Sequence, residues 1–173
     1  MTEDERERIL AVLEEGSNAL LDALHGVSEV QAARVLAAER WSILQCVEHV
    51  TLAEQYLFSL IETSKFADKP LIDEQRWLRI ATRGADRSVK RECPSYALPK
   101  GGFSSLQEAL DEFLASRERT IGFVKTNTDD LRSRIAVHPV LGDVNCQELL
   151  LLMAVHPARH AKQIEENKVV LAS

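Results

Sequence analysis

The stretch LLLLMAVHPARHAKQIEE, Leu149 to Glu166, decides the fold. Leu149, Leu152, Met153, His156, His160 and Ile164 recur at three- and four-residue intervals, the stripe of an amphipathic α-helix. Two of the six are histidines four residues apart. On a helix such a pair shares nearly one face, about 6 Å apart along the axis. His156 and His160 can therefore close on a single metal ion.

A second helical run, WSILQCVEHVTLAEQYLFSLIE, Trp41 to Glu62, carries His49 on or beside its apolar face. Three neutral imidazoles facing each other across a helical core would form a His₃ site with an open coordination position. That is the arrangement of a catalytic metal rather than a structural one. The competing reading is a group of partly buried histidines satisfied by hydrogen bonds. Three nitrogen ligands suit Zn, Ni or Fe.

The same start signal, a polar N-cap followed three residues later by Glu or Gln, precedes four periodic runs. Thr2 with Glu5 opens a helix over 3–25, with Ile9, Leu13, Gly16, Leu20 and Leu24 inward. Ser42 with Gln45 opens one over 43–63, and Ser104 with Gln107 one over 105–127. Asn145 with Glu148 opens the last, over 146–168, which holds the histidine pair. These predict an all-α four-helix bundle with strand content near zero. The connection 64–103 is far longer than the roughly 2–8 residues usual in bundles. It makes an up-down-down-up order available, with a long crossover between helices two and three. Helices two and four must adjoin if His49 is to meet His156 and His160.

Bulk composition sets the frame. At 173 residues the chain reads as one domain, 1–173, with 45% hydrophobic and 28% charged residues. A formal charge of −6 argues against nonspecific nucleic-acid binding as the main task. Three scattered cysteines, Cys46, Cys93 and Cys146, read as free thiols in a reducing cytoplasm. The charged start MTEDERERIL has no secretory pattern, and no run reaches the ~18 apolar residues of a membrane span. The expectation is a cytoplasmic protein with no nucleic-acid and no membrane partner. No Ser-His-Asp order, Gly-rich phosphate loop or zinc-knuckle pattern competes with the histidines.

Arg40–Ser42 (RWS), His49 and the closing HxxxHxxQI at His156–Ile164 resemble the DinB/YfiT-like superfamily of metal-binding four-helix bundles. His138–Asp143 (HPVLGD) is also similar to a loop of that family. The resemblance implies a divalent transition metal held by His49, His156 and His160. It implies a small-molecule substrate, since some relatives are transferases or isomerases that use a low-molecular-weight thiol. The expected activity is thus thiol-dependent S-transfer. Metal-dependent hydrolysis and a non-enzymatic metal-binding or stress-response module are the alternatives, and a homodimer is an allowed assembly.

Several residues carry two readings. Pro157 lies between the two ligands of the last helix; it lacks an N–H and crowds the carbonyl of Met153. This predicts a kink or widened turn at Met153–Pro157, or a helix that begins near Pro157. Cys46 is either a fourth, thiolate ligand or redox-active thiol, or a small core residue. His138 either approaches the metal or serves a turn. Gln45 and Gln163 either orient a ligand ring or face solvent. His25 reads as a helix-end charge or an exposed residue. Arg117 occupies a core position of helix three. It either lines the pocket as a contact to an anionic substrate group, or snorkels at the bundle edge or pairs with a nearby glutamate. Arg76, Arg79, Arg83, Arg87, Lys90 and Arg91 form either a phosphate-binding face for nucleic acid or a membrane surface, or a solvated one balanced by acids from the other helices.

Overall fold

The computed structural model describes residues 1–88 and 92–172. Four long helices build the frame: α1 (Glu3–Leu24), α3 (Ile43–Thr63), α5 (Leu106–Thr126) and α6 (Cys146–Ala172). Two shorter ones, α2 (Glu29–Ala33) and α4 (Glu74–Arg83), and a 3₁₀ turn at Ser95–Ala97 occupy the connections.

Local sequence fixes most helix starts. Thr2 with Glu5 and Ser42 with Gln45 form reciprocal capping boxes. Asn145 and Glu148 do the same: Asn145 N–H donates to Glu148 Oε2, and Glu148 N–H to Asn145 Oδ1. The start of α5 corrects the expected cap. Ser105, not Ser104, accepts from the amide three residues on, Glu108. Ser104 instead donates its N–H and hydroxyl to Glu108 Oε2. A further box, Ser28 with Gln31, opens α2.

The four long helices surround one another so that α1 lies beside α6 and α5, and α3 beside α5 and α6. Along α1 and α6 contacts advance together: Gly16 meets Ala154, and Lys168 Nζ donates to Ala23 O. A Cβ on Gly16 would stand 2.0 Å from Ala154 O, so only glycine lets the two backbones approach this closely. Between α3 and α6 the sense reverses, Asn167 reaching Trp41 O and His156 reaching His49. Along α3 and α5 contacts again advance together, Gln55 with Glu112 and Glu62 with Arg119. Among the described residues, two large apolar clusters fill the interior, one around Leu13, Ile61, Leu150 and Met153, the other around Leu20, Val47, Phe113 and Ile164, and a small third one of Ile80, Leu151 and Val155 seats α4 on α6.

The expectation of almost no strand is overturned. β1 (Lys65–Phe66), β2 (Arg134–His138) and β3 (Gly142–Asn145) form a small antiparallel sheet in the order β1-β2-β3. Ile135 pairs with Asn145 and Val137 with Asp143. The stretch His138–Asp143 is thus the tip of a hairpin, and β3 leads directly into α6. No helix among the described residues is long and apolar enough to cross a membrane.

Candidate metal centre

α3 and α6 bring His49, His156 and His160 together. Their donor nitrogens all lie within 4.8 Å of one another. His49 Nε2 stands 2.9 Å from His156 Nε2, and the His49 and His160 rings are 4.5 Å apart between centroids. His49 and His160 are buried, whereas His156 is partly exposed. His156 is thus the member of the cluster nearest solvent.

Hydrogen bonds decide which nitrogen of two rings is free. His49 Nδ1 is 2.7 Å from Ala97 O, a carbonyl, so Nδ1 carries the proton and Nε2 keeps its lone pair. His160 Nδ1 is 3.1 Å from Gln163 Oε1. Arg87 Nη1 donates to the same Gln163 atom at 2.9 Å. A guanidinium can only donate, which identifies that atom as the amide oxygen. His160 Nδ1 is then also a donor, and its Nε2 is a lone-pair acceptor. Buried and with no partner, His160 Nε2 is an orphaned polar atom. Burial first, and then mutual proximity and Arg159, push the His156 pKa down to about 3. Burial likewise lowers His49 and His160. Three imidazoles kept neutral by burial converge, with lone pairs fixed at His49 and His160 Nε2, that of His160 unsatisfied, and His156 Nε2 2.9 Å from His49 Nε2; such a set fits a divalent transition ion. Outer partners of this kind are the usual means of orienting metal-binding histidines.

The RWS segment is explained by its contacts. The Trp41 ring packs 4.8 Å from His49 and 6.2 Å from His160, walling the cluster. Buried Asn167 of α6 accepts from Arg40 Nε at 2.6 Å and donates to Trp41 O at 2.9 Å. Ser42 caps α3.

Other expected residues fall elsewhere. Cys46 is fully buried among Leu20, Ile43 and Val50, and burial lifts its thiol to about 12. It is a core residue, not a ligand. His138 is buried in the hairpin, with Nδ1 accepting from Val140 and Leu141 N–H and Nε2 facing Tyr96 Oη. It does not reach the cluster. Gln45 belongs to the α3 capping box, while Gln163 accepts from His160 Nδ1 of the cluster. His25 is the exposed C-cap of α1.

Arg117 is a correction to the expected substrate contact. Its guanidinium is 2% exposed and spent on protein: Nε and Nη2 bind Glu54 Oε2, Nη1 binds Leu13 O, and Nη2 binds Met153 O. Met153 O is the carbonyl that Pro157, four residues on, cannot serve. α6 runs through Pro157 as one helix, and His156 still meets His49. The helix does not restart at Pro157; a guanidinium replaces the missing donor.

The basic segment is largely neutralised. Arg76 forms a bidentate pair with buried Glu148, and Arg87 one with Glu166. Arg79 lies 3.9 Å from Asp73. α4 ends at Arg83, so Arg87 lies beyond it. Lys90 and Arg91 lie outside the described residues.

Sequence reasoning missed three supports: Ala97, whose carbonyl holds His49; Arg87 behind Gln163; and Cys93, whose Sγ lies 3.5 Å from His49 Nδ1. Near Ala97 the sequence offers Pro94, Pro99 and the Gly101–Gly102 pair, which mark a long connection and say nothing of His49.

Comparison with known proteins agrees with this architecture. The chain is 23% identical over 160 residues to the uncharacterized protein YuaE of Bacillus subtilis (strain 168), covering 92% of this chain and 96% of YuaE. Its fold is similar to a solved structure, YfiT from Bacillus subtilis, with a TM-score of 0.63 and 18% identity. The match covers 99% of this chain and 90% of YfiT, which is described as "a probable metal-dependent hydrolase with an unusual four-helix bundle topology". The model of the DinB superfamily matches residues 12–164, nearly the whole chain, and the protein belongs to that superfamily.

Proposed function

We propose that this protein is a metal-dependent enzyme acting on a small molecule, with hydrolysis as its reaction. The observation that carries the reading is the donor set: three neutral imidazoles whose donor nitrogens lie within 4.8 Å, one with a buried lone pair unsatisfied. Among the described residues no thiolate or carboxylate joins the three. A position is thereby left for substrate or solvent. A divalent ion supplies, when bound, the acidity that delivers a nucleophile near neutral pH.

The chain's own residues hold the geometry. Ala97 O and Gln163 Oε1 fix the His49 and His160 rings by their Nδ1 protons, so neither ring can turn its lone pair away. Trp41 covers one side of the cluster. The description of YfiT as a hydrolase favours water as nucleophile. Transfer to a low-molecular-weight thiol would use the same position and differs only in the nucleophile. The contact pairs along α1, α3, α5 and α6 support reading their order as up-down-down-up.

The test is elemental analysis of protein purified without a nickel column, followed by assay of activated esters and amides with and without a chelator. Stoichiometric Zn, Ni or Fe, lost in His49→Ala, His156→Ala and His160→Ala, is the expected result, with chelator-sensitive hydrolysis. Full metal occupancy in all three variants would remove the site. Turnover that requires an added thiol would replace hydrolysis by S-transfer. Bound metal without either activity would make the protein a binding module.

A further inference from the structure

Glu48 precedes the ligand His49 in α3 and is 2% exposed. A carboxylate so deeply placed needs compensation. Its compensation is three consecutive backbone amides: Lys100 and Gly102 N–H donate to Oε1 at 2.8 and 3.0 Å, and Gly101 N–H to Oε2 at 3.2 Å. Successive amides of a loop converge on one anion where the chain turns through a left-handed residue. Gly101 supplies it with φ 75°. Gly102 leaves room, since a Cβ there would stand 3.3 Å from Glu48 Oε1.

The cradle closes the strap that begins at the 3₁₀ turn. Ala97, 1% exposed, ends that turn and gives its carbonyl to His49 Nδ1. Tyr96, beside it, stacks on Tyr56 of α3 at 3.8 Å and meets His138 of the hairpin. The strap is thus held from one end by the Tyr96 contacts and from the other by Glu48. The carbonyl that selects the His49 tautomer sits between the two ties.

We propose that Glu48 is a positioning residue of the metal centre: by gripping Lys100–Gly102 it seats the strap whose Ala97 carbonyl keeps His49 as the Nδ1–H tautomer. The proposal rests on reading the three histidines as a metal centre. A hydrogen bond to the opposite ring nitrogen fixes both the tautomer and the ring orientation of a ligating histidine, and losing it typically costs about 10–100-fold in metal affinity. Glu48 acts one step further out, through backbone.

The experiment compares wild type, Glu48→Gln and Gly101→Val. The second variant addresses folding, because nothing lies within 4 Å of a Cβ at Gly101, so the change strains the cradle without a clash. ¹⁵N histidine NMR of the metal-free protein should give one Nδ1–H tautomer for His49 in wild type and a mixture in both variants. Zn²⁺ titration should show affinity reduced about 10-fold or more in both. A single unchanged tautomer and unchanged Zn²⁺ affinity in Gly101→Val and in any folded Glu48→Gln overturn the proposal. Should wild type bind no Zn²⁺, the metal reading fails, yet the tautomer measurement still decides what Glu48 does.

Discussion

Two arginines stand behind the ligand helix, and they do opposite kinds of work. Arg117 is sealed between α1, α3, α5 and α6, paired with Glu54. Arg87 sits at the edge with its side chain 21% exposed, paired with Glu166 at 51%. Both end on α6: Arg117 on the Met153 carbonyl, Arg87 on Gln163. The buried pair holds the helix in shape, while the exposed one tunes the orientation of a single ring. The difference follows from burial: a lost partner leaves an uncompensated charge in the first place and a hydrated one in the second.

The largest effect should come from Arg117→Ala. It strands Glu54, whose carboxyl burial already pushes its pKa upward against the pull of Arg117. It also leaves Leu13 O and Met153 O without this donor. Removing one member of a buried pair costs about 3–5 kcal/mol. Chemical denaturation of the metal-free protein should show this, and a loss under about 1 kcal/mol, as for exposed pairs, would erase the contrast.

A double-mutant cycle sharpens the same point. If Arg117 replaces the donor missing at Pro157, then Pro157→Ala, which restores an N–H beneath Met153 O, should matter more once Arg117 is gone. The expected coupling is about 1 kcal/mol, the scale of one hydrogen bond. Strict additivity of Arg117→Met and Pro157→Ala would mean the guanidinium does not stand in for the donor missing at Pro157.

At the exposed site stability should barely change. Arg87→Ala should alter unfolding free energy by no more than about 1 kcal/mol. Metal affinity is the sensitive readout there. Gln163→Ala, which frees the His160 ring, should weaken Zn²⁺ binding about 10–100-fold, and Arg87→Ala by less, because Gln163 still accepts from His160. Equal losses in the two variants would show that Arg87, not the amide, sets the ring.

The two arginines also mark what the sequence could disclose. Arg117 was visible as an anomaly, a charge on an apolar stripe, but its partners Glu54 and Met153 lie on other helices and leave no local trace. Arg87 read as one cation in a basic run, since its acceptors are 76 and 79 residues away. Helix starts at Thr2, Ser42 and Asn145 were legible because a capping box is complete within four residues. So was the histidine triad, because a four-residue spacing and an apolar face are both helical periodicities. The α5 cap slipped by one because Ser104 and Ser105 both satisfy the pattern, and only geometry shows Ser104 spent on Glu108. The hairpin was missed because HPVLGD carries its turn residues plainly while its strands are only five and four residues long.

The hairpin offers the smallest effect, a dependence on pH. His138 Nδ1 accepts from two backbone amides, and burial lowers its pKa from the ordinary 6.5. Protonation would turn that acceptor into a donor facing two donors. The unfolded chain takes up a proton near pH 6.5, the folded one only at lower pH. Unfolded molecules therefore bind more protons below 6.5, and His138 contributes stability that is full above that pH and lost as pH falls below it. His138→Gln, which cannot titrate, should flatten this slope without altering stability above pH 7 by more than a hydrogen bond's worth, about 1 kcal/mol. The groups facing His138 include the Tyr96 hydroxyl, itself lifted to about 12 by burial, so Tyr96 does not ionise in this range. Hydrogen exchange at Val140 and Leu141 between pH 5 and 7 isolates the local response from acidification elsewhere. Protection that stays constant across that range in wild type would show that the hairpin keeps its imidazole neutral at no cost to its own stability.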